Sequence, residues 1–204
     1  MARWEPGTAE KLQDAALELF AARGYEQTTA TEIAQAVGLT ERTFFRHFSD
    51  KREVLFGGQQ SLIDAFLAGL DGAPATATPI ELAVRALRSS AGFFDDERRA
   101  WSRKRQSVID ANPALQEREA LKLVGIGRAL AEALRARGAD GVAAEVAAQI
   151  ATMAFGIAFT QWIADDEERS FGDIAMDVVR GVGAVAGELE TVGADGIEPP
   201  TAGV

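Results

Sequence analysis

The sequence predicts an all-α fold on three observations. Apolar residues recur at three- and four-residue spacing along most of the chain, no segment alternates apolar and polar residues as a half-buried strand does, and Gly, Pro, Asn-Pro and Asp punctuate the stripes. With 47% hydrophobic and 25% charged residues, the 204-residue chain can bury a core and is not of disordered or fibrous composition. That length suits a small module followed by a larger helical body, with about nine helices in all.

Leu12, Ala15, Ala16, Leu19 and Phe20 form the first stripe and predict a helix over 8–23 that Gly24 stops. A second, short stripe of Ile33, Ala34 and Val37 follows Thr28, Thr29 and Thr31 and ends at Gly38, which takes positive φ without strain. Thr40 can cap a third helix reaching His47, with Phe44 and Phe48 at i and i+4 pointing inward. Asp50 and Glu53 read as a cap and its partner for a fourth helix extending to Leu70. After the loop DGAPATATP, helices are expected over 79–94, 97–111, 113–137, 142–164 and 171–190. The stretch 191–204, with Gly193, Gly196, Pro199 and Pro200 and no stripe, is expected to be a disordered tail. Three regions result: 1–56, 57–190 and 191–204.

A net charge of −10 argues against indiscriminate nucleic-acid binding, which needs a positive field over much of the surface. The charge is uneven, however: residues 1–56 hold seven Lys/Arg against nine Asp/Glu, and residues 57–204 hold fourteen against twenty-two. Between positions 42 and 52 the cations Arg42, Arg46, Lys51 and Arg52 face Asp50 alone, so a small basic spot survives. The best membrane candidate, 150–164, contains Thr152, Thr160 and Gln161 and is short for a span. The first residues carry no apolar signal core, and the absence of cysteine removes disulfides, thiol catalysis and Cys-based zinc sites. A cytoplasmic protein without membrane contact is expected.

Two short helices joined through Gly38 and Leu39, the second with polar outer faces, have the pattern of a helix-turn-helix, whose second helix enters the DNA major groove. Ile33, Ala34, Val37, Leu39, Phe44 and Phe48 would fasten the unit, leaving Arg42, Thr43, Arg46 and His47, with the capping Thr40, to face DNA. Arg42 can pair its guanidinium fork with a guanine edge, and Thr43 can offer a hydroxyl or a methyl group. Lys51, beside the unpaired N–H groups that open the fourth helix, suits a phosphate and would position rather than specify.

Residues 8–56, above all TTATEIAQAVGLTERTFFRHFSDKREVLF, resemble the DNA-binding domain of the TetR family of regulators. The family pattern is a Thr before the second helix, an Ile-Ala pair, a Gly turn, an aromatic pair, a His-Phe and a Lys opening the fourth helix. Here those are Thr29, Ile33-Ala34, Gly38, Phe44-Phe45, His47-Phe48 and Lys51. The resemblance implies phosphate contacts from Thr29, Phe45 or its backbone, His47 and Lys51. Phe45 stands where the family usually has Tyr, which removes a hydroxyl contact that Arg46 and Arg52 could replace. It also implies a helical ligand-binding and dimerisation domain beyond about residue 57, and repression rather than activation.

An oligomer is supported by the residues themselves. The segment 142–164 is apolar around much of its circumference, and Gly181, Gly183, Ala184, Ala186 and Gly187 let backbones approach, so two helices per chain could form a four-helix interface. Those glycines lack the preceding strand and final spacing of a dinucleotide fingerprint. The basic run Arg98, Arg99, Arg103, Lys104, Arg105, followed by VIDANPALQEREALKL, resembles the C-terminal domain of regulators that bind acyl-CoA-like ligands. That likeness implies an acyl chain among apolar helices and arginines on phosphates; equally, the run can be a solvated face paired with Asp95, Asp96 and Glu97. Candidate ligand-binding residues are Phe94, Trp101, Arg105, Phe155, Phe159 and Trp162, with Phe93 and Met153 as further lining candidates, although aromatic stripes are more often core.

An enzyme, for instance one acting on an acyl thioester, would need a nucleophile, an acid–base pair or a metal set. The sole histidine sits in the DNA motif, no G-x-S-x-G or Glu-x-x-His occurs, and the Asp95-Asp96 and Asp165-Asp166 pairs fall at helix ends. No catalytic residue, metal ligand or cofactor is assigned. The reading is a homodimeric repressor released from a double-stranded DNA operator by a small hydrophobic or acyl-CoA-like effector, an activator with the same DNA-binding mode being the alternative. Half-sites of a pseudo-palindrome are expected about 34–36 Å apart in adjacent major grooves, or slightly farther.

Overall fold

The computed structural model describes residues 7–195, which are all-helical with no strand among them. Helix α1 (Thr8–Arg23) ends as expected at Gly24, whose φ of 90° suits glycine and whose N–H bonds the Phe20 carbonyl. Helix α2 (Ala30–Ala36) opens on a capping box in which the Thr29 hydroxyl accepts the Glu32 N–H at 3.2 Å and the Glu32 carboxylate accepts the Thr29 N–H at 2.8 Å. The chain turns at Gly38 (φ 72°) into α3 (Glu41–His47), capped by Thr40. Leu12, Ala16, Phe20, Ile33, Ala34, Phe44 and Phe48 close these three helices around one core, which Val108, Ile109 and Leu115 from later helices complete.

The fourth helix is not the single element expected over 50–70. Asp50 does cap it, accepting the Glu53 N–H at 3.0 Å, but Arg52–Phe56 is a 3₁₀ turn and α4 is Gln59–Ala68. The break falls at Gly57-Gly58. A Cβ on Gly57 would stand 2.7 Å from the Gln13 amide nitrogen and 3.0 Å from the Phe48 ring, so a larger residue here would have to displace the Gln13 side chain.

Five further helices follow: α5 (Pro79–Ser90), α6 (Asp96–Asp110), α7 (Pro113–Ala136), α8 (Gly141–Trp162) and α9 (Phe171–Asp195). Thr78 and Glu81 form a second capping box at α5, which gives way to a 3₁₀ turn, Ala91–Phe93, earlier than expected. Helix α9 runs five residues past its expected end. Gly193 alone costs a helix only about 1 kcal/mol and no proline intervenes before position 199, so nothing local stops it at 190. The rest of the expected tail, 196–204, lies outside the described residues.

Helix α8 is the spine of the larger body, packing against α5, α7 and α9. It is 22 residues long, and by length and composition apolar enough to cross a membrane, because its alanine-rich first half extends the 150–164 stretch. Six of its seven alanines, with Phe155 and Trp162, are instead buried in one core with Phe66, Leu87, Leu130 and Phe171. At Gly69, where α4 meets α5, a Cβ would lie 2.5 Å from the Arg85 carbonyl oxygen and 2.7 Å from the Ala86 Cα. Both are backbone atoms and cannot rotate away. Gly69→Ala is therefore expected to destabilise the protein by about 2–3 kcal/mol, read as a lower midpoint of chemical denaturation; an unchanged midpoint would mean that α4 and α5 separate at no cost.

Candidate nucleic-acid interface and adjoining cavity

The short helix α3 is fixed at its start. The Thr40 hydroxyl accepts the Thr43 N–H at 3.3 Å and lies 3.0 Å from the Thr43 hydroxyl, while Thr31 donates to the Glu41 carboxylate at 2.9 Å and ties α2 to α3. With Phe44 fully buried and Phe48 5% exposed, the opposite face is left to Arg42, Phe45 and Arg46. Phe45 is 48% exposed on this face. Neither arginine meets a carboxylate among the described residues. Such a face, two guanidinium groups one turn apart beside a partly exposed threonine, suits base edges and phosphates in a groove.

The other predicted residues are placed less simply. Thr29 is exposed, but its hydroxyl and N–H both donate to Glu32. The Thr29 backbone hydrogen bond, and then its hydroxyl, hold the Glu32 carboxyl below the usual carboxylate range. His47 ends α3 half-buried, with a buried Nε2 that has no hydrogen-bond partner. Lys51 does not stand clear at a helix start. Its ammonium donates to the Tyr25 carbonyl at 2.7 Å and lies 4.1 Å from the Tyr25 ring centroid, which pins the α1–α2 turn and uses one of its three donors. Arg52 pairs with Asp50 at 3.6 Å and Glu53 at 3.9 Å. The unpaired part of the basic spot is thus Arg42 and Arg46.

Behind this unit lies a cavity of about 430 Å³, walled by α1, the 52–56 turn, α4, α6, α7 and α8. Of the six candidate ligand residues, Phe94, Trp101, Arg105, Phe155 and Phe159 line it, as does Phe93. Trp162 does not: it is fully buried behind Phe94, with centroids 5.4 Å apart, and enclosed by Phe159, Phe171 and the Arg99 guanidinium. Met153 is 47% exposed on the outer side of α8.

The basic run is divided: Arg99 makes the expected pair with Asp96 at 3.0 Å, and most of the run also finds partners elsewhere in the fold. Arg99 donates to the carbonyls of Glu167 and Arg169, and Arg103 to those of Ile163 at 2.6 Å and Ala164 at 2.8 Å, so both satisfy chain ends beyond α8. Lys104 reaches Glu18 on α1, and Trp101 Nε1 reaches Asp14 at 3.0 Å. Arg98 is exposed at the cavity rim, its guanidinium 4.2 Å from the Phe93 ring centroid. Helical spacing explains the split, since residues 98, 101 and 105 share one face of α6 and residues 99 and 103 another.

Buried Arg105 belongs to a network that the sequence concealed. It donates to the Leu55 carbonyl at 2.8 Å and to Glu119 at 2.7 Å. Arg118 grips Glu53 with two bonds, 2.6 and 2.9 Å, and the Phe56 ring lies between the guanidinium groups of Arg105 and Arg118, 4.8 and 4.6 Å away. Glu119 also accepts from Lys122 at 2.5 Å. Burial pushes Glu119 up, but Arg105 and Lys122 outweigh it and hold the carboxyl below its ordinary range. Burial, then the nearby Arg105 charge, pushes Lys122 down to about 8. The only sequence signal was the spacing of Arg118, Glu119 and Lys122 on one helix face; the partners of Arg118, Glu53 and Gln59, lie more than fifty residues upstream, and Arg105 reaches Glu119 from the preceding helix.

On the outer side of α8, Val142, Val146, Met153 and Ile157 form an exposed apolar stripe, 73%, 52%, 47% and 42% exposed. On α9, Val185 is exposed and Gly181 and Gly183 open onto space.

Comparison with known proteins gives matches at both ends of the chain. Residues 12–57 match the family described as bacterial regulatory proteins, tetR family, and residues 77–186 match the MftR C-terminal domain. The HTH-type transcriptional regulator TcmR of Streptomyces glaucescens is 45% identical over 89 residues, covering 44% of this chain and 39% of that protein's length. The putative mycofactocin biosynthesis transcriptional regulator MftR of Mycobacterium tuberculosis is 27% identical over 162 residues, 78% of this chain and 81% of that one. Among solved structures, a SmeT–triclosan complex superposes with a TM-score of 0.58 at 20% identity, covering 97% of this chain and 98% of that one. Bacillus subtilis FadR in complex with stearoyl-CoA gives 0.55 at 17% identity, covering 84% and 95%. At these identities the two structures show a shared fold.

Proposed function

Since the chain belongs to the TetR family of bacterial regulatory proteins, and is thereby a DNA-binding transcriptional regulator, we propose that it is a cytoplasmic homodimeric repressor whose operator is released when a small hydrophobic effector fills the cavity. One observation carries this reading: the 52–56 turn that follows the exposed Arg42–Phe45–Arg46 face is also a wall of the cavity, through Leu55 and Phe56. Residues up to about 56 then form the DNA-binding part and the following helices the effector-binding part.

Arg42 and Thr43 read base edges, while Arg46, His47, Thr29, Thr40, the Phe45 backbone and the remaining donors of Lys51 position the helix on phosphates. The α8–α9 stripes of two copies meet in a four-helix interface and set the half-sites about 34–36 Å apart. The triclosan and stearoyl-CoA of the two neighbouring structures each carry a sizeable apolar part, an aryl ether and a long acyl chain, which supports an effector with an apolar body here. An effector shifts the equilibrium only by its difference in affinity between the two states, and the cavity walls formed by α1 and the 52–56 turn give it a means to sense which state it occupies.

Measuring DNA release by a panel that includes triclosan and long-chain acyl-CoA tests the reading. At least one compound is expected to lower DNA affinity, and the cavity-filling Phe159→Trp to raise the concentration needed by tenfold or more. Release unchanged by that substitution would place the effector elsewhere.

A further inference from the structure

The inner end of the cavity holds more positive charge than the protein neutralises. Arg105 is 6% and Lys122 8% exposed, both line the cavity, and the one carboxylate bonded to them is Glu119. Arg118 cannot shift that balance, because Glu53 already cancels it in a two-bond pair. A buried cation without a full partner is costly, and the depressed Lys122 ammonium is the mark of that cost.

Donors are also left over. Of the five guanidinium N–H groups of Arg105, one is given to the Leu55 carbonyl and one to Glu119, and Lys122 gives one of its three to Glu119. No other acceptor meets either group among the described residues. The opposite walls, Leu62, Phe94, Phe155 and Phe159, are apolar.

We propose that Arg105 and Lys122 form an anion site that takes the carboxylate of a small amphiphile, its apolar body lying against Leu62, Phe94, Phe155 and Phe159. The proposal rests on reading the cavity as the effector site and names the chemical class of that effector. The exposed rim sharpens the choice of anion: Glu10, Asp14, Asp95 and Glu97 surround the cavity with only Arg98 opposing them. Four carboxylates against one guanidinium repel a polyphosphate head such as that of coenzyme A. A single carboxylate passes them more readily, because exposed charges are screened over roughly 8–10 Å, whereas the buried cations act through a low dielectric. The volume of about 430 Å³ is also at the modest end for small-molecule sites. Since Arg105 holds the Leu55 carbonyl as well, an anion drawing on its guanidinium acts directly on the 52–56 turn.

Isothermal titration of the full-length protein with decanoate, decanol, decyltrimethylammonium and decanoyl-CoA separates the sources of affinity. Decanoate is expected to bind about tenfold or more tighter than decanol and than the cation, and tighter than decanoyl-CoA. In Lys122→Met that preference over decanol should collapse to near one. Equal affinity for decanoate and decanol in the wild type, or a preference retained in Lys122→Met, overturns the anion site. Tight binding of decanoyl-CoA alone overturns the carboxylate while leaving the effector cavity standing. Binding by none of the four removes both.

Discussion

Replacing Arg42 with alanine is expected to weaken binding to the preferred operator about 5- to 150-fold while leaving binding to unrelated DNA nearly unchanged. A bidentate contact between a guanidinium group and a base edge is worth about 1–3 kcal/mol of discrimination, and Arg42 is exposed near the start of the recognition helix, with no carboxylate to release. Arg46, one turn further along, should behave differently. Its alanine variant is expected to lose affinity for all sequences alike and to reduce the slope of log affinity against log salt by about one, the signature of a phosphate contact. Anisotropy titrations with specific and scrambled duplexes at several salt concentrations check both. Uniform loss from Arg42→Ala would reassign it to the phosphates.

The larger effect is expected from the outer side of α8. Val146 and Ile157, 52% and 42% exposed, lie in the apolar stripe that also carries Val142 and Met153. In a two-fold interface the same patch serves both copies, so glutamate at both positions sets like charges against each other or near one another across the axis. The double variant Val146→Glu, Ile157→Glu is expected to sediment as a folded monomer. It should also bind a two-half-site operator about 10²- to 10⁴-fold more weakly, because the second half-site is no longer held at high effective concentration. A dimer of undiminished stability would place the interface on another surface.

What could be read from the sequence was what short-range chemistry decides. The end of α1 and the start of α3 follow from Gly24 and Thr40, and the Thr-rich start through Thr29 announces α2, because each signal acts within one turn of the helix it limits. The division of the fourth helix was hidden, since what packs against Gly57, the Gln13 side chain and the Phe48 ring, comes from α1 and the end of α3. Candidate ligand residues fared by the same rule. Phe94, Phe155 and Phe159 were recognisable as apolar residues facing inward, but whether an inward ring lines a cavity or is enclosed like Trp162 depends on its neighbours from other helices. The basic run was legible as charge and illegible as structure, because the carbonyls that occupy Arg99 and Arg103 lie about sixty to seventy residues downstream. Arg118 was hidden for the same kind of reason, since the carboxylate it grips, Glu53, lies sixty-five residues upstream.

The most direct measurement of the central claim is selection of bound duplexes from a random library by the purified protein, with Arg42→Ala run in parallel. Enrichment of a two-fold symmetric sequence by the wild type, lost or relaxed at defined positions by the variant, is the result predicted for a dimer reading DNA through α3. Enrichment of no sequence by the wild type, even at low salt, would contradict it.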